Sequence, residues 1–415
     1  MPFAPMPRTP TTPPDPASQN HPPRPGNAGE VLGAFLRLGL TSFGGPVAHL
    51  AHFRTEFVER RRWIDEQSYA DLVALCQFLP GPASSQVGMA LGLQRAGGWG
   101  ALMAWIGFTL PSALLLIALA YGLTQHAGLA ASGAVHGLKV VAVAVVAQAV
   151  WGMAKSLCPD GLRAGIAVFS ALLTLWLPSA VGQVGAIVAS GLAGALLLKL
   201  PPQAAVPHIG YGVSRAVGAG ALLLFAGLLV GLPLVAAASG SGLWALIDGF
   251  YRAGALVFGG GHVVLPLLQA SVVPAGVVGQ TEFLAGYGAV QAMPGPLFAF
   301  AAYLGAVMDG PITGWQGGLV FLAVIFVPAA LLVLGALPFW DSLRRHAGVR
   351  PAMAGVNAGV VGLLLSALYD PVWTHAIQGR TDFGLALAAF GLLVYARVSP
   401  VLVVALGAAA GWLLG

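Results

Sequence analysis

Long apolar segments alternate with short polar ones along most of the chain. Most of the apolar segments approach the roughly 20 residues that a membrane-spanning helix needs. The pattern therefore predicts an all-α polytopic membrane protein with about nine spans. The predicted spans are 101–121, 135–153, 165–177, 181–198, 217–237, 317–337, 351–368, 383–394 and 398–414.

Composition agrees with a membrane location. Hydrophobic residues make up 57% of the chain and charged residues 8%, whereas roughly 25% of the residues in a soluble domain are charged. The segment 1–28 differs, because its many prolines stand among polar residues, and we expect it to be a disordered tail. No apolar stretch follows a basic start there, so no cleavable signal peptide is predicted.

One set of residues occurs twice along the chain, which indicates a duplicated structural unit. Phe35, Arg37, Gly39, Phe43, Gly44 and Gly45 recur as Phe250, Arg252, Gly254, Phe258, Gly259 and Gly260. Gln77 and Pro80-Gly81-Pro82 recur as Gln291 and Pro294-Gly295-Pro296, Pro111 recurs as Pro328, and Gly137 recurs as Gly355. We therefore predict a tail (1–28), a first repeat (29–200), a linker with a connecting transmembrane helix (201–240) and a second repeat (241–415).

The placement of arginines indicates that the two repeats have opposite orientations. The loop after the first Gly-Gly pair carries Arg54, Arg60, Arg61 and Arg62, whereas its counterpart, 266–282, has no Lys or Arg. Further along, 123–135 has none, and its counterpart carries Arg344, Arg345 and Arg350. By the positive-inside rule, equivalent loops lie on opposite faces and the N-terminal tail is cytoplasmic. Inverted-topology repeats of this kind are common in secondary transporters.

Proline and glycine interrupt the segments that carry the repeated motifs. Pro80-Gly81-Pro82 divides 68–94 into two arms of about a dozen residues, each too short to cross a bilayer alone. Counting crossings between the loops predicts that this segment, and the Gly-Gly segments 31–53 and 247–268, are re-entrant helical hairpins. The alternative is that they are spanning helices kinked at Gly and Pro, because hydropathy does not separate the two.

Broken helices at membrane depth predict the substrate site. Backbone at such breaks is tolerated where it lines a watery cavity, and the unpaired N–H groups at a helix start carry partial positive charge. Starts of this kind from both repeats suit a small anion, best a doubly charged oxyanion. The residues predicted to contact it are Arg37, Gly44, Gly45, Gln77, Pro80, Gly81, Pro82, Ser84, Ser85, Arg252, Gly259, Gly260, Gln291, Pro294, Gly295 and Pro296.

Charged and polar side chains near the breaks have two interpretations each. Arg37 and Arg252 lie in apolar surroundings, where they either pair with an anion or extend to the membrane interface. Pro82 fits the first position of the returning helix, and the hydroxyls of Ser84 and Ser85, which follow it, can donate to an oxyanion. Phe298 and Ala299 replace these serines in the second repeat, so the first repeat is expected to carry more of the specificity. Lys139, His49 and His262 are candidates for a vestibule or for proton coupling, with interfacial or structural roles as the alternative.

Other classes of protein find little support in the sequence. It has no nucleotide-binding Gly-Lys loop, no HExxH motif and no cluster of metal ligands, so neither an enzyme nor a cofactor nor a metal is predicted. Cys76 and Cys158 are too far apart for a disulfide framework and are expected to be structural. The net charge of +5 is thinly spread between spans, which argues against nucleic-acid binding.

These motifs together resemble the chromate ion transporter family, in its long form with two domains. The resemblance rests on Phe43-Gly44-Gly45, Glu59-Arg60-Arg61-Arg62-Trp63, Gln77-Phe78-Leu79-Pro80-Gly81-Pro82, Phe258-Gly259-Gly260-Gly261 and Met293-Pro294-Gly295-Pro296. It implies a multi-pass protein of a bacterial or archaeal inner membrane that exports chromate and confers chromate resistance. The partners expected are a chromate- or sulfate-like oxyanion and the lipid bilayer, with a homodimer left open. Another oxyanion as the substrate, or a passive anion channel of the same architecture, remains the alternative.

Overall fold

The computed structural model describes residues 26–125, 133–200, 212–343 and 348–414, and every regular element in these ranges is helical. The predicted tail falls almost wholly outside the described residues, and Arg344 and Arg345 do so entirely. Helices of the first repeat are α1 (Ala28–Thr41), α2 (Gly45–Phe53, continued by a π-helical stretch, Arg54–Arg60), α3 (Glu66–Phe78), α4 (Ala83–Gln125), α5 (Gly133–Leu157), α6 (Gly161–Trp176) and α7 (Ala180–Leu197).

A connecting helix, α8 (Arg215–Ser239), leads to the second repeat. Its helices are α9 (Gly242–Ala255), α10 (Val264–Val272), α11 (Gln280–Val290), α12 (Phe300–Val307), α13 (Gly314–Ala336), α14 (Trp340–Leu343), α15 (Val349–Ala367), α16 (Thr374–Ala376), α17 (Arg380–Val394) and α18 (Pro400–Leu414). Short 3₁₀ turns at Gly261–Val263 and Leu297–Ala299 precede α10 and α12, and a π-helical stretch, Leu368–Trp373, follows α15.

Polar side chains fix where several of these helices begin. Asn27 accepts a hydrogen bond from the Glu30 backbone N–H at 2.7 Å, and Asp65 accepts one from the Ser68 N–H at 2.9 Å. Asp160 does the same at the start of α6. Each cap satisfies a backbone donor that has no partner inside its helix.

The motif segments fold back on themselves as hairpins. In hairpin A (α1 and α2), the Phe35 and Phe53 rings are 5.4 Å apart, whereas a continuous helix would separate residues 18 apart by roughly 27 Å. Hairpin B (α3 and the first segment of α4) brings the Arg95 guanidinium to 5.1 Å from the Trp63 ring. The structure shows the predicted hairpins and not the alternative of kinked spans.

Equivalent hairpins form in the second repeat. In hairpin C (α9 and α10), a Cβ placed on Gly249 would lie 2.8 Å from the Cβ of Ser271. In hairpin D (α11 and α12), the Tyr303 hydroxyl donates to the Glu282 carbonyl at 2.8 Å. The backbone leaves the helical conformation again at Ala96 and Gly97, where α4 turns back on itself.

Hairpins A and B open on one face of the molecule, here called the arginine face. Glu30, at the base of hairpin A, pairs with Arg95, at the base of hairpin B, at 3.0 Å and lies 3.9 Å from Arg61. Burial raises the pKa of nearby Glu56, but hydrogen bonds from Arg61 and Arg60 outweigh it and hold this pKa below its usual range. The base of hairpin A therefore stays ion-paired at neutral pH.

Hairpins C and D open on the opposite face, as an inverted repeat requires. The second segment of α4 runs away from the arginine face, and Tyr121 near its end accepts from the Trp315 N–H at the start of α13. The chain then returns, because Trp340, after α13, donates to Asp71 in α3 at 3.1 Å. A Cβ on Gly218, near the start of α8, would meet Pro338 beside it, so α8 crosses back and hairpin C begins at the far face.

Five helical stretches in the described ranges are long and apolar enough to cross a membrane. They are Ala83–Gln125, Gly133–Leu157, Arg215–Ser239, Gly314–Phe339 and Val349–Ala376. The other four predicted spans correspond to the shorter helices α6, α7, α17 and α18, and their crossing of the bilayer stays a prediction. The fold is therefore an all-α polytopic membrane protein.

The last helices of each repeat pack against the other repeat. Helix α15 packs against α6 and α7, and α5 packs against α17 and α18. Small residues permit the close approach, because a Cβ on Gly355 would lie 2.6 Å from the Gly194 Cα, and one on Gly137 would lie 2.1 Å from the Gly407 carbonyl. The two repeats are interlocked rather than placed side by side.

Two crossed backbone hydrogen bonds join the repeats at the centre. The Gly81 N–H donates to the Val257 carbonyl at 2.6 Å, and the Gly295 N–H donates to the Ser42 carbonyl at 2.9 Å. Ser42 and Val257 occupy equivalent positions just before the two Gly-Gly breaks. The pair of bonds therefore repeats the pseudo-two-fold relation of the sequence.

We predict that Gly81→Ala destabilises the fold more than Gly240→Ala. Gly81 has φ +118°, and its Cβ would lie 3.2 Å from the Ala329 Cβ, whereas Gly240 has φ +60° and open space around it. The expected losses in free energy of unfolding are roughly 1–3 kcal/mol and about 1 kcal/mol. Thermal unfolding midpoints in detergent measure both, and equal midpoints would show that the backbone conformation and the space around Gly81 are not important for stability.

Candidate functional site

A cavity of about 490 Å³ lies where the Gly-Gly breaks of both repeats meet. Its wall combines the tips of hairpins A and C, the Pro-Gly-Pro break of hairpin D, one side of α5 and the start of α18. The lining residues are Gly44, Gly45, Pro46, Val47, Val145, Gln148, Ala149, Gly152, Met153, Ser156, Gly259, Gly260, Gly261, His262, Val290, Gln291, Met293, Gly295, Leu297 and Pro400.

The cavity opens toward the arginine face. Helix α5 lines it from Val145, near the middle of the helix, to Ser156 in its last turn. Gly152 and Ser156 are exposed, and Val47 on the opposite wall is 81% exposed. The Gly-Gly tips form its inner end, so it leads from one face of the molecule to the broken helices.

Equivalent hairpins differ in their packing around this cavity. The second arm of hairpin C is buried against α15 and α7, and Val263, Leu265 and Leu268 are each 0% exposed. In hairpin A, by contrast, the corresponding arm faces the cavity across from α5. The structure thus has one hairpin tip docked and its counterpart undocked.

Helix starts supply the electrostatics of the cavity. The first residues of three helical segments line it, at Gly45, Gly261 and Leu297. Backbone N–H groups without an intrahelical partner occur at such starts and carry partial positive charge. Among the described lining residues there is no Lys or Arg, so polar side chains such as Gln148, His262 and Gln291 complete the set of possible donors.

The structure brings together part of the predicted site. Gly44, Gly45, Gly259, Gly260, Gln291 and Gly295, with the coupling candidate His262, line the cavity. The His262 Nδ1 and the Tyr287 hydroxyl are hydrogen-bonded at 2.8 Å, and the Gln291 amide donates to the Tyr287 carbonyl at 3.4 Å. The remaining predicted residues lie outside the cavity.

The Pro-Gly-Pro breaks are arranged differently from the prediction. The Gly81 and Gly295 N–H groups, expected to face the anion, already donate to the opposite repeat. Helix α4 begins at Ala83, and the Pro82 carbonyl accepts from the Gln86 N–H at 3.0 Å, so Pro82 is the N-cap and not the first helical residue. Flanking Pro80, Pro294 and Pro296 shape the turns but have no N–H to offer an anion.

Neither predicted arginine reaches the cavity. Arg37 is exposed on the outer side of α1, as the interfacial alternative requires. Arg252 forms a salt bridge with Asp248, one turn earlier on α9, whose side chain is only 4% exposed. Its charge is therefore already compensated within the protein.

The other candidates also lie away from the cavity. Gln77 is exposed on α3, whereas Ser84 and Ser85 are buried at the start of α4. His49 is buried beside Ser84. Lys139 is 9% exposed on α5, nearer the far face, with Asp382 and Glu282 in its surroundings.

The sequence analysis did not identify the face of α5 that lines the cavity. Val145, Gln148, Ala149, Gly152, Met153 and Ser156 recur at helical spacing and form one stripe. Most of these side chains are small or polar in an otherwise apolar span, and that stripe is the signal that could have identified this wall. It carries no repeated motif, so the comparison of repeats did not reveal it.

Interlocked inverted repeats with a cavity at their broken helices define a polytopic membrane transporter. Comparison with known proteins agrees. The model of the family described as chromate transporter matches residues 29–195 and 244–412. The chain therefore belongs to the chromate transporter family.

Curated relatives cover nearly the whole chain. A chromate transport protein from Pseudomonas aeruginosa is 29% identical over 94% of both chains. A probable chromate transport protein from Synechococcus elongatus is 28% identical over 80% of this chain and 82% of the relative. A chromate transport protein from Cupriavidus metallidurans is 26% identical over 89% of each. No solved structure matches the chain.

We predict that Arg252→Ala destabilises the protein and that adding Asp248→Asn restores much of the loss. Removing one partner of a buried ion pair leaves an unpaired charge and costs roughly 3–5 kcal/mol; the cost here should be smaller, because one third of the Arg252 side chain is exposed. Unfolding midpoints in detergent for both single variants and the double variant measure the coupling. Arg37→Ala is the control and should unfold like the parent.

Proposed function

We propose that the protein exports a tetrahedral dianion, chromate in the first place, from the cytoplasm by alternating access. The observation that carries this proposal is the convergence of three helix starts on a cavity open at the arginine face. Partial positive charge at helix starts suits a small oxyanion. The arginine face is cytoplasmic under the positive-inside rule, which also places the N-terminus there.

The membrane potential favours this direction. With the inside negative, moving one elementary charge is worth about 2.3 kcal/mol per 100 mV, so a dianion gains about twice that by leaving. Export of chromate lowers its cytoplasmic concentration, and chromate resistance follows from that. A bacterial inner membrane carries such a potential, and we place the protein there.

The pseudo-symmetry of the repeats suggests the second conformer. In hairpin C, which is docked, a Cβ on Gly259 would lie 3.5 Å from the Asn357 Oδ1 on α15. Lys139 on α5 is the residue equivalent to Asn357. If hairpin A docks on α5 as hairpin C docks on α15, the Gly44 tip approaches the Lys139 ammonium, and the cavity closes at the cytoplasmic face.

A carrier fits these contacts better than a passive channel. Toward the far face, hairpin D places Phe283, Phe300 and Tyr303 in the core, each 0% exposed, and the Phe283 and Phe300 rings are 5.2 Å apart. None of these rings lines the cavity, and in our proposal they close its far side. Passage of an anion therefore requires a rearrangement of the hairpins, as in alternating access.

Chromate uptake into everted membrane vesicles tests the transport proposal directly. We expect the vesicles to accumulate chromate and the rate to fall when the membrane potential is collapsed. If the site recognises only charge and shape, sulfate should compete with chromate. Collapsing the pH gradient separately distinguishes proton coupling. Absence of uptake by correctly inserted protein with either anion would contradict the proposed function.

We predict that Gly152→Leu blocks this flux without loss of stability. Gly152 lines the cavity, and a Cβ built on it would meet no atom within 4 Å, so the leucine would occupy the path. Leucine is also favoured over glycine inside a helix by about 0.8 kcal/mol. Gly165→Leu on α6 is the matched control, since Gly165 is exposed, equally unobstructed and outside the cavity. Equal flux in the two variants would show that this cavity is not the path.

Cysteine labelling tests the proposed orientation. In a Cys158→Ser background, we expect Val47→Cys and Arg61→Cys to react with an impermeant maleimide only from the cytoplasm. Thr281→Cys, which is exposed at the base of hairpin D, should react only from outside. Reaction of positions 61 and 281 from the same face would contradict the inverted arrangement in the membrane.

A further inference from the structure

A second group of polar side chains lies behind the cavity wall, entirely within the first repeat. We call it the polar chamber; its members are Ser42, His49, Ser84, Ser85 and Thr109. All five are at most 2% exposed. They come from the tip of hairpin A, the start of α4 and the middle of α4.

Two contacts connect members of the chamber, and a third connects the chamber to the cavity. The His49 Nδ1 lies 3.4 Å from the Ser84 hydroxyl, and the His49 ring is 5.2 Å from the ring of Phe108, the neighbour of Thr109. The Ser42 carbonyl accepts from the Gly295 N–H at 2.9 Å. Because Gly295 lines the cavity, this hydrogen bond forms part of the wall between cavity and chamber.

Several chamber atoms have no hydrogen-bond partner. They are the Ser42, Ser85 and Thr109 hydroxyl oxygens and the His49 Nε2. A buried polar atom left without a partner is destabilising, and native proteins keep few of them. Four such atoms on packed segments, with His49 and Ser84 in contact, point to a polar group that binds among them.

The second repeat shows that the fold does not need these polar groups. At the equivalent positions it has Val257, Val264, Phe298, Ala299 and Phe326. Each of the five polar residues is thus replaced by an apolar one that the same backbone accommodates. The polar character of the chamber is specific to the first repeat and has no structural counterpart.

We propose that the polar chamber is an inner subsite for the transported oxyanion, entered from the cavity when the Ser42–Gly295 hydrogen bond opens. Hydroxyl groups and an imidazole N–H donate to oxyanion oxygens, and the start of α4 adds the partial positive charge of a helix start. The chamber holds no acidic side chain that would repel a dianion. This inference rests on the proposed function. It assigns to the first repeat the binding of the anion after the anion has entered the cavity.

Replacing the chamber residues by smaller or isosteric apolar ones tests the inference. We expect the double variant Ser85→Ala, Thr109→Val to be at least as thermostable as the parent, because two unpartnered hydroxyls are removed. Chromate flux in everted vesicles should fall by about tenfold or more for each lost donor. Chromate or sulfate should also raise the unfolding temperature of the double variant in detergent by less than it raises that of the parent.

Matched variants and both anions make the outcome decisive. Thr124→Val, on the same helix but with its hydroxyl bonded to the Ala120 carbonyl, is the control and should keep parental flux. A double variant that is stable, transports normally and keeps the anion-induced shift overturns the chamber as a subsite and leaves the transport proposal intact. A parent that shows neither flux nor shift with either anion overturns the proposed function, and the subsite with it.

Discussion

Two crossed backbone hydrogen bonds, from Gly81 to Val257 and from Gly295 to Ser42, organise the centre of this protein. Proline on both sides of each glycine removes the neighbouring N–H groups, so the glycine N–H is the only donor that each tripeptide has. Inside a membrane an unpaired N–H costs several kcal/mol. Each repeat therefore supplies the carbonyl that pairs with the glycine N–H of the other repeat. Neither pair of hairpins has all of its central backbone hydrogen bonds without the other.

The same constraint explains why symmetric sequence gives an asymmetric cavity. In this conformation the crossed bonds hold the breaks together, while the outer arms of hairpins A and C remain separate elements. Hairpin C is docked on α15, and hairpin A stands off α5. If the opposite arrangement, with hairpin A docked and hairpin C undocked, is close to this one in free energy, a ligand with unequal affinity for the two can shift their populations.

The sequence predicted those features that depend on local backbone preferences or on the distribution of charge across the membrane. Proline and glycine identified the breaks, and the arginines of 54–62 identified the inversion, because helix breaking and charge placement do not depend on tertiary partners. The sequence left the partner of Arg37 open and did not foresee the partner of the Gly81 N–H, since whether such a group faces a substrate, lipid or protein depends on what packs beside it. Mean hydropathy does not separate the inward and outward faces of a span, so the α5 wall could be found only from its stripe of small and polar side chains, which the comparison of repeats does not include.

The absence of Lys and Arg from the described lining of the cavity agrees with transport rather than storage. A fixed cation 4 Å from a dianion, at an effective dielectric constant of about 20, would contribute roughly 8 kcal/mol. That amount corresponds to about a millionfold in affinity, and an anion held so tightly would leave slowly. Helix starts and neutral donors bind more weakly and leave release possible. If docking of hairpin A brings the Lys139 ammonium close to the anion, the anion meets a full positive charge only while it is enclosed. At that stage it has lost water, and the attraction to Lys139 offsets part of the desolvation cost.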